Sequence, residues 1–133
     1  MAMTRDEVYP KVQTAVVEAM GVEEDEVTSD STIMGDLGAE SIDLLDILFR
    51  LERKLGVKVQ ASDLAAYIQG GIADDEFGDD RGIITEKGLN HLKTVMPQIN
   101  VDELRGKFEA EKVMQLFTVQ NMADMYVQRA SSS

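Results

Sequence analysis

Residues 36–55 read DLGAESIDLLDILFRLERKL and contain a strong helix signal. Its apolar residues recur every three or four positions, which predicts an amphipathic helix from about Ser41 to Leu55. Gly56 follows as a stop signal. Gly38 permits a tight turn before the helix, and we expect that turn to deliver Ser41 to an exposed helix N-terminus.

Ser41 is the residue of this stretch best placed for chemistry. The first N–H groups of a helix, together with the positive end of its dipole, favour a phosphate ester. A serine at this position can therefore hold a phosphodiester. Considered without its neighbours, the same serine is more simply a helix cap. The surrounding residues therefore have to distinguish a cap from an attachment site.

The predicted helix carries apolar residues on two sides. At about 100° per residue, the ordinary core stripe consists of Leu44, Ile47, Leu48, Leu51 and Leu55. The nearly opposite side carries Ile42, Leu45 and Phe49 among Asp43, Asp46, Arg50 and Arg53. A helix facing one core has no need of the second set. These residues either pack beneath a downstream segment or form a docking face of apolar side chains and carboxylates.

The composition of the chain argues against nucleic-acid binding and excludes any site that needs cysteine. The chain has 133 residues and a net charge of −12, from 25 Asp and Glu against 13 Lys and Arg. A field of that sign repels nucleic acid and attracts basic protein surfaces. There is no cysteine, which excludes disulfides and thiolate metal sites, so any thiol chemistry has to be imported.

The sequence also bears on where in the cell the protein is located. No stretch approaches the roughly 20 apolar residues of a membrane span. Residues 1–7 are too polar and acidic for a signal peptide. We therefore expect a cytoplasmic location, no transmembrane segment and a monomer.

Two further segments lie before residues 36–55. Thr4 and Glu7 have capping-box spacing, and a helix is predicted from there to Gly21. The next twenty residues are acidic and rich in turn formers, but apolar residues punctuate them, so we expect an ordered loop with buried anchors. Those anchors are Val22, Val27, Ile33, Met34 and Leu37.

The octet from Asp36 to Asp43 resembles the hallmark of the acyl carrier protein family, Asp-Leu-Gly-x-Asp-Ser-Leu/Ile-Asp at the start of a recognition helix. Glu40 departs from it, because the family usually has Asp before the serine. The similarity extends over residues 21–22, 26–28 and 36–51, whereas residues 109–113 and 117–126 resemble the family's third and fourth helices. The resemblance implies an all-α fold, a four-helix bundle of the acyl carrier type.

The resemblance also implies a carrier and not an enzyme, without catalytic residues or a metal site. Ser41 would be the attachment point of 4′-phosphopantetheine, which a phosphopantetheinyl transferase adds from coenzyme A, and acyl chains would be held there as thioesters. Its partners would be acyl ligases, ketosynthases or acyltransferases with basic docking surfaces, and no nucleic acid. The expected docking residues are Asp36, Leu37, Glu40, Ile42, Asp43, Leu45, Asp46 and Phe49.

Residues 61–107 are absent from ordinary members of that family and are predicted to be an insertion in a single domain spanning 1–133. Helical pieces are predicted at 62–68, with Ser62 as cap, and at 85–96. An acidic, mobile loop at 74–80 is predicted between them, and its spacing does not match an EF-hand. We expect the insertion to pack against the bundle through Leu64, Ile68, Leu89, Leu92 and Met96.

Such an insertion resembles those of carriers dedicated to specialised lipids, including lipopolysaccharide acylation. Two other functions stay open. The domain could be a non-catalytic acidic interaction module that binds a basic partner through the predicted second helix. A hydrolase using Ser41 would lack a convincing base, because the single histidine, His91, is distant in sequence and predicted to be at the surface.

Overall fold

The structure, a computed structural model, describes residues 3–132. Met1, Ala2 and Ser133 belong to the predicted domain of residues 1–133 but lie outside the described residues. The described residues form helices and isolated β-bridges without an extended strand, which confirms the predicted all-α class. No helix among residues 3–132 combines the length and apolar character needed to cross a bilayer.

The helices follow one another along the chain in a simple order. The α-helices are α1 (Arg5–Met20), α2 (Ser41–Leu55), α3 (Ala61–Gln69), α4 (Asp74–Phe77), α5 (Glu86–Val95), α6 (Val101–Leu104) and α7 (Val119–Ser132). Short 3-10 helices occupy Glu24–Glu26 and Ala110–Leu116.

The chain forms two compact units. The first comprises the described residues up to Ala61 and those from Phe117 onward, and the second is Ser62–Leu116. The predicted bounds of the insertion, residues 61–107, stay a prediction. So does its packing against the bundle, although all five apolar residues expected to pack there are buried.

Helix α1 organises the first unit by packing against both α2 and α7. Its start is fixed by the predicted capping box, in which the Thr4 hydroxyl accepts the backbone N–H of Glu7 at 3.3 Å and the Glu7 carboxylate accepts that of Thr4 at 3.2 Å. Gly21 ends the helix at φ 69°, a left-handed conformation that glycine adopts readily. The predicted first helix is therefore confirmed at both ends.

The loop from residue 21 to residue 40 is ordered, as predicted. The backbone N–H of Ile33 donates to the carbonyl of Phe117 at 3.0 Å, and the N–H of Val119 donates to the carbonyl of Ser31 at 2.9 Å. Of the predicted anchors, Val27 and Ile33 are buried, whereas the other three are half-buried. These hydrogen bonds hold the loop, which leads into α2, against the segment that leads into α7.

In the second unit, α5 contacts α4 and α6. The predicted helix at 85–96 is confirmed, with the Thr85 hydroxyl capping it by accepting the N–H of Gly88 at 3.1 Å. Ser62 is not the cap predicted for the earlier piece, because α3 already begins at Ala61. Arg105 links α5 to α6 through ion pairs with Glu86 at 2.8 Å and Asp102 at 2.6 Å.

Two expectations for this unit need correction. The segment 74–80 is not simply a loop: it contains α4, and Phe77 buries its ring there. The Asp79 carboxylate then accepts the backbone N–H groups of Arg81 and Ile83 at 2.9 and 3.0 Å. The predicted mobility of the segment stays a prediction. His91 is half-buried rather than on the surface, and its Nε2 lies 3.1 Å from the carbonyl oxygen of Tyr67.

The order of the second unit gives a first testable prediction. Leu89 is fully buried in α5 and Asn90 beside it is exposed. We expect Leu89→Ala to lower the free energy of unfolding by about 2–5 kcal/mol and Asn90→Ala to change it by less than about 0.5 kcal/mol. Amide hydrogen exchange along α5 measures both effects. Equal, rapid exchange in the wild type and both variants would show that the unit is not packed as described.

Candidate functional site

Ser41 is the first residue of α2, and its side chain is exposed. The turn before it passes through Gly38 at φ 73°, in the left-handed region where glycine is favoured. Ala39 is buried, and its N–H donates to the carbonyl of Ile33 at 3.1 Å. The turn is thus anchored on the core, and it presents Ser41 at the surface.

The N-terminus of α2 is capped by its own residues. Glu40 occupies the N-cap position, and the Asp43 carboxylate accepts its backbone N–H at 2.9 Å. The first N–H groups of a helix have no acceptor within the helix. A phosphate ester on Ser41 would lie beside those donors and beside the positive end of the α2 dipole.

Other carboxylates near Ser41 also have partners within the chain. The Asp36 carboxylate accepts the backbone N–H of Thr32 at 3.0 Å, and the Thr32 hydroxyl accepts the backbone N–H of Asp36 at 2.7 Å. Asp46 pairs with Arg50 one turn further along α2 at 3.0 Å. Asp36, Asp43 and Asp46 therefore stabilise the local structure, a role that their sequence positions did not reveal.

The apolar residues of α2 divide as the helical wheel predicts. The core stripe from Leu44 to Leu55 is buried. On the other side, the exposed fractions of Ile42, Leu45 and Phe49 are 72%, 52% and 58%, and no other large hydrophobic residue of the described chain is as exposed. They are not part of the core of the first unit, which is consistent with the predicted docking face.

The far half of α2 carries positive charge. The Glu18 carboxylate of α1 forms ion pairs with Lys54 at 3.1 Å and with Arg50 at 3.5 Å. These two cations, Lys54 first, hold the pKa of the Glu18 carboxyl below its ordinary value. Arg53 is exposed, with its guanidinium 5.7 Å from the centre of the Phe49 ring. Sequence reasoning placed Arg53 among the exposed apolar residues but not in the docking set. Its spacing of four residues from Phe49 was the available signal.

Comparison with known proteins identifies the family. Residues 10–68 match the family model described as "Phosphopantetheine attachment site". The acyl carrier protein of Thermotoga maritima is 41% identical over 61 residues, which are 46% of this chain and 75% of that protein. The chain belongs to the acyl carrier protein family. The acyl carrier protein of Petrotoga mobilis is 39% identical over 62 residues, which are 47% of this chain and 73% of that protein. The acyl carrier protein of Treponema denticola is 35% identical over 54 residues, which are 41% of this chain and 69% of that protein.

As a family member, the chain is a non-catalytic acyl carrier whose prosthetic group is 4′-phosphopantetheine. The site fits this group on physical grounds. The Ser41 side chain is exposed, so a bulky substituent on its oxygen displaces no packed atoms. Among residues 3–132, no cluster of His, Asp or Glu side chains is arranged to hold a metal ion.

The capping role of Asp43 gives a second prediction. Asp43→Lys removes the acceptor of the Glu40 N–H and puts a cation at the positive end of α2, so it should lower the free energy of unfolding by about 1 kcal/mol or more. Asp46→Lys makes the same charge change but loses only a part-exposed pair with Arg50, worth about 0–1 kcal/mol. Urea unfolding measures the difference. Equal losses in the two variants would contradict the capping role.

Proposed function

We propose that Ser41 carries the 4′-phosphopantetheine of this acyl carrier and that α2 presents the loaded arm to partner enzymes. The observation behind the proposal is the placement of an exposed serine and three exposed apolar side chains on one helix. The prosthetic thiol supplies the thioester chemistry. The chain itself supplies the attachment point and the recognition surface.

The docking face, in this proposal, consists of Asp36, Leu37, Glu40, Ile42, Asp43, Leu45, Asp46 and Phe49. Leu37 is half-buried. A carrier must leave each partner quickly, and exposed ion pairs worth only about 0–1 kcal/mol each suit that task. The same opposite charges on carrier and partner increase the rate at which the two proteins meet. The partners we propose are a phosphopantetheinyl transferase and acyl ligases, ketosynthases or acyltransferases that offer basic surfaces.

We also propose that the carrier serves a specialised lipid pathway, with lipopolysaccharide acylation as one such pathway. Support comes from the second compact unit, Ser62–Leu116, most of which lies beyond the matched residues 10–68. Purification of the protein from its native cells, followed by mass spectrometry of the intact acylated forms, tests this proposal. A chain distribution identical to that of the bulk fatty acids would contradict a dedicated role.

Modification kinetics at varied salt test the docking part of the proposal. Apo-protein is incubated with coenzyme A and a transferase, and the gain in intact mass is followed. The Debye length falls from about 10 Å at 0.1 M ionic strength to about 3 Å at 1 M, so kcat/KM should fall as salt rises. A rate that does not depend on salt would contradict electrostatic docking. No adduct with any transferase would favour the alternative, an acidic interaction module.

A further inference from the structure

The exposed stripe of α2 changes the sign of its charge along its length. Ile42, Asp46, Phe49 and Arg53 are spaced by three or four residues and therefore lie along one side of the helix. At about 1.5 Å per residue, Arg53 lies about 16 Å along the axis from Ile42. Within the stripe, Asp46 lies between the apolar Ile42 and Phe49, and Arg53 makes the far end basic. Two exposed carboxylates, Asp36 and Glu40, lie just before α2 at the Ser41 end.

Arg53 is the cation of this stripe that remains available to a partner. Arg50 and Lys54 both form ion pairs with Glu18, and Arg50 also pairs with Asp46. Arg53 is exposed and has no ion pair within residues 3–132. Its guanidinium lies over Phe49, 5.7 Å from the ring centre, so the charge sits directly at the end of the exposed apolar patch.

We infer that the docking face selects partners with a bipolar surface: basic where they approach Ser41, and carrying an acidic residue opposite Arg53. This inference rests on the proposed function and specifies the chemistry of the partner. A uniformly basic surface would meet repulsion at Arg53, since like charges brought together across an interface oppose binding. Arg53 thereby acts as a residue that determines specificity for the enzymes that load and unload the carrier.

A second copy of the chain could also satisfy a bipolar stripe, by packing its α2 antiparallel to the first. Two observations favour a different protein as partner. Each copy carries a net charge of −12, so two copies repel each other. A dimer through this stripe would also cover the residues next to Ser41, where the transferase must act.

Charge reversal at Arg53 tests the inference, with Lys58→Glu as the matched control. Lys58 is also exposed but follows α2, so its reversal changes the net charge equally without touching the stripe. The probe is a phosphopantetheinyl transferase whose docking groove is basic along its whole length. We expect Arg53→Glu to raise its kcat/KM by about three- to tenfold, with kcat nearly constant, and Lys58→Glu to change kcat/KM much less. Equal effects of the two variants, or a fall with Arg53→Glu, would overturn the inference.

A second experiment asks for the acidic partner residue directly. Each basic residue of the transferase groove is replaced by Glu in turn. One such substitution should raise kcat/KM for the wild-type carrier and lower it for Arg53→Glu. If every substitution lowers both, no acidic group is preferred opposite Arg53 and the inference fails.

Three outcomes distinguish this inference from self-association and from the proposed function itself. Sedimentation that shows a wild-type dimer, lost in Arg53→Glu, would overturn the choice of partner in favour of a second copy. If no variant and no wild type gains phosphopantetheine, the proposed function itself fails. Normal modification without sensitivity to Arg53 overturns only the inference.

Discussion

Ser41→Ala is expected to abolish the addition of 4′-phosphopantetheine completely, and acyl loading with it. The group requires the Ser41 oxygen, and no neighbouring hydroxyl on α2 can replace it, because the helix contains no second serine or threonine. The fold should persist. Ser41 follows the N-cap position, which Glu40 occupies, so the loss in the free energy of unfolding should stay below the cost of about 1 kcal/mol typical of a lost cap.

Ser62→Ala is the matched control for this variant. Ser62 is likewise exposed and lies in the first turn of another helix, α3. Intact-mass spectrometry should show wild-type modification of Ser62→Ala and none of Ser41→Ala, while urea unfolding shows both folded. Retained modification of Ser41→Ala would remove Ser41 as the attachment point.

The double variant Ile42→Asp, Phe49→Asp should lower kcat/KM for modification by about 30-fold or more. The few hot-spot residues at the centre of an interface cost about 2 kcal/mol or more when truncated, and we expect Ile42 and Phe49 to be among them. A carboxylate buried there adds a desolvation cost. Both side chains are more than half exposed, so the stability of the first unit should change little. Steady-state kinetics with the transferase, alongside urea unfolding, measure the two quantities.

The control for added charge is Ala65→Asp, Ala66→Asp. Both alanines are exposed on α3, and the change adds the same two negative charges without altering any residue of the docking face. Its kcat/KM should stay within about threefold of the wild type, because long-range charge alone is screened in salt. Equal losses in the two double variants would mean that net charge, and not the apolar patch, governs docking.

Sequence patterns predicted α2 well because several independent signals agree there. The apolar periodicity fixes which side faces the core, and Gly38 and Gly56 mark the turn and the end. That agreement gave the helix bounds, the exposed position of Ser41 and the exposed apolar residues. Consistent local and global signals of this kind are what makes a segment predictable.

The partners of charged side chains were not predictable in the same way. Asp36 bonds to Thr32 across a loop whose path depends on hydrogen bonds to Phe117 and Val119, residues far away in sequence. Arg50 and Lys54 pair with Glu18 on another helix, whereas Arg53 has no ion pair within residues 3–132. Such pairings follow from the tertiary fold, which periodicity does not specify.

The prediction that the segment 74–80 is simply a loop was wrong for a related reason. Its five acidic residues indicated a solvated loop, but the single buried ring of Phe77 and the carboxylate of Asp79 order it. Composition averages over a segment, whereas one buried aromatic residue can contribute about 1.5–3 kcal/mol by itself. The bounds of the inserted segment depend on the same long-range packing and stay a prediction.

The most direct test of the central claim is to locate the modification. The wild-type chain is co-expressed with a phosphopantetheinyl transferase, cleaved with a protease, and its fragments are sequenced by tandem mass spectrometry. We predict one phosphopantetheine group per chain, attached to Ser41, with every other fragment unmodified. A chain that remains unmodified, or one that carries the group on another serine, would contradict the assignment of Ser41 as the attachment site.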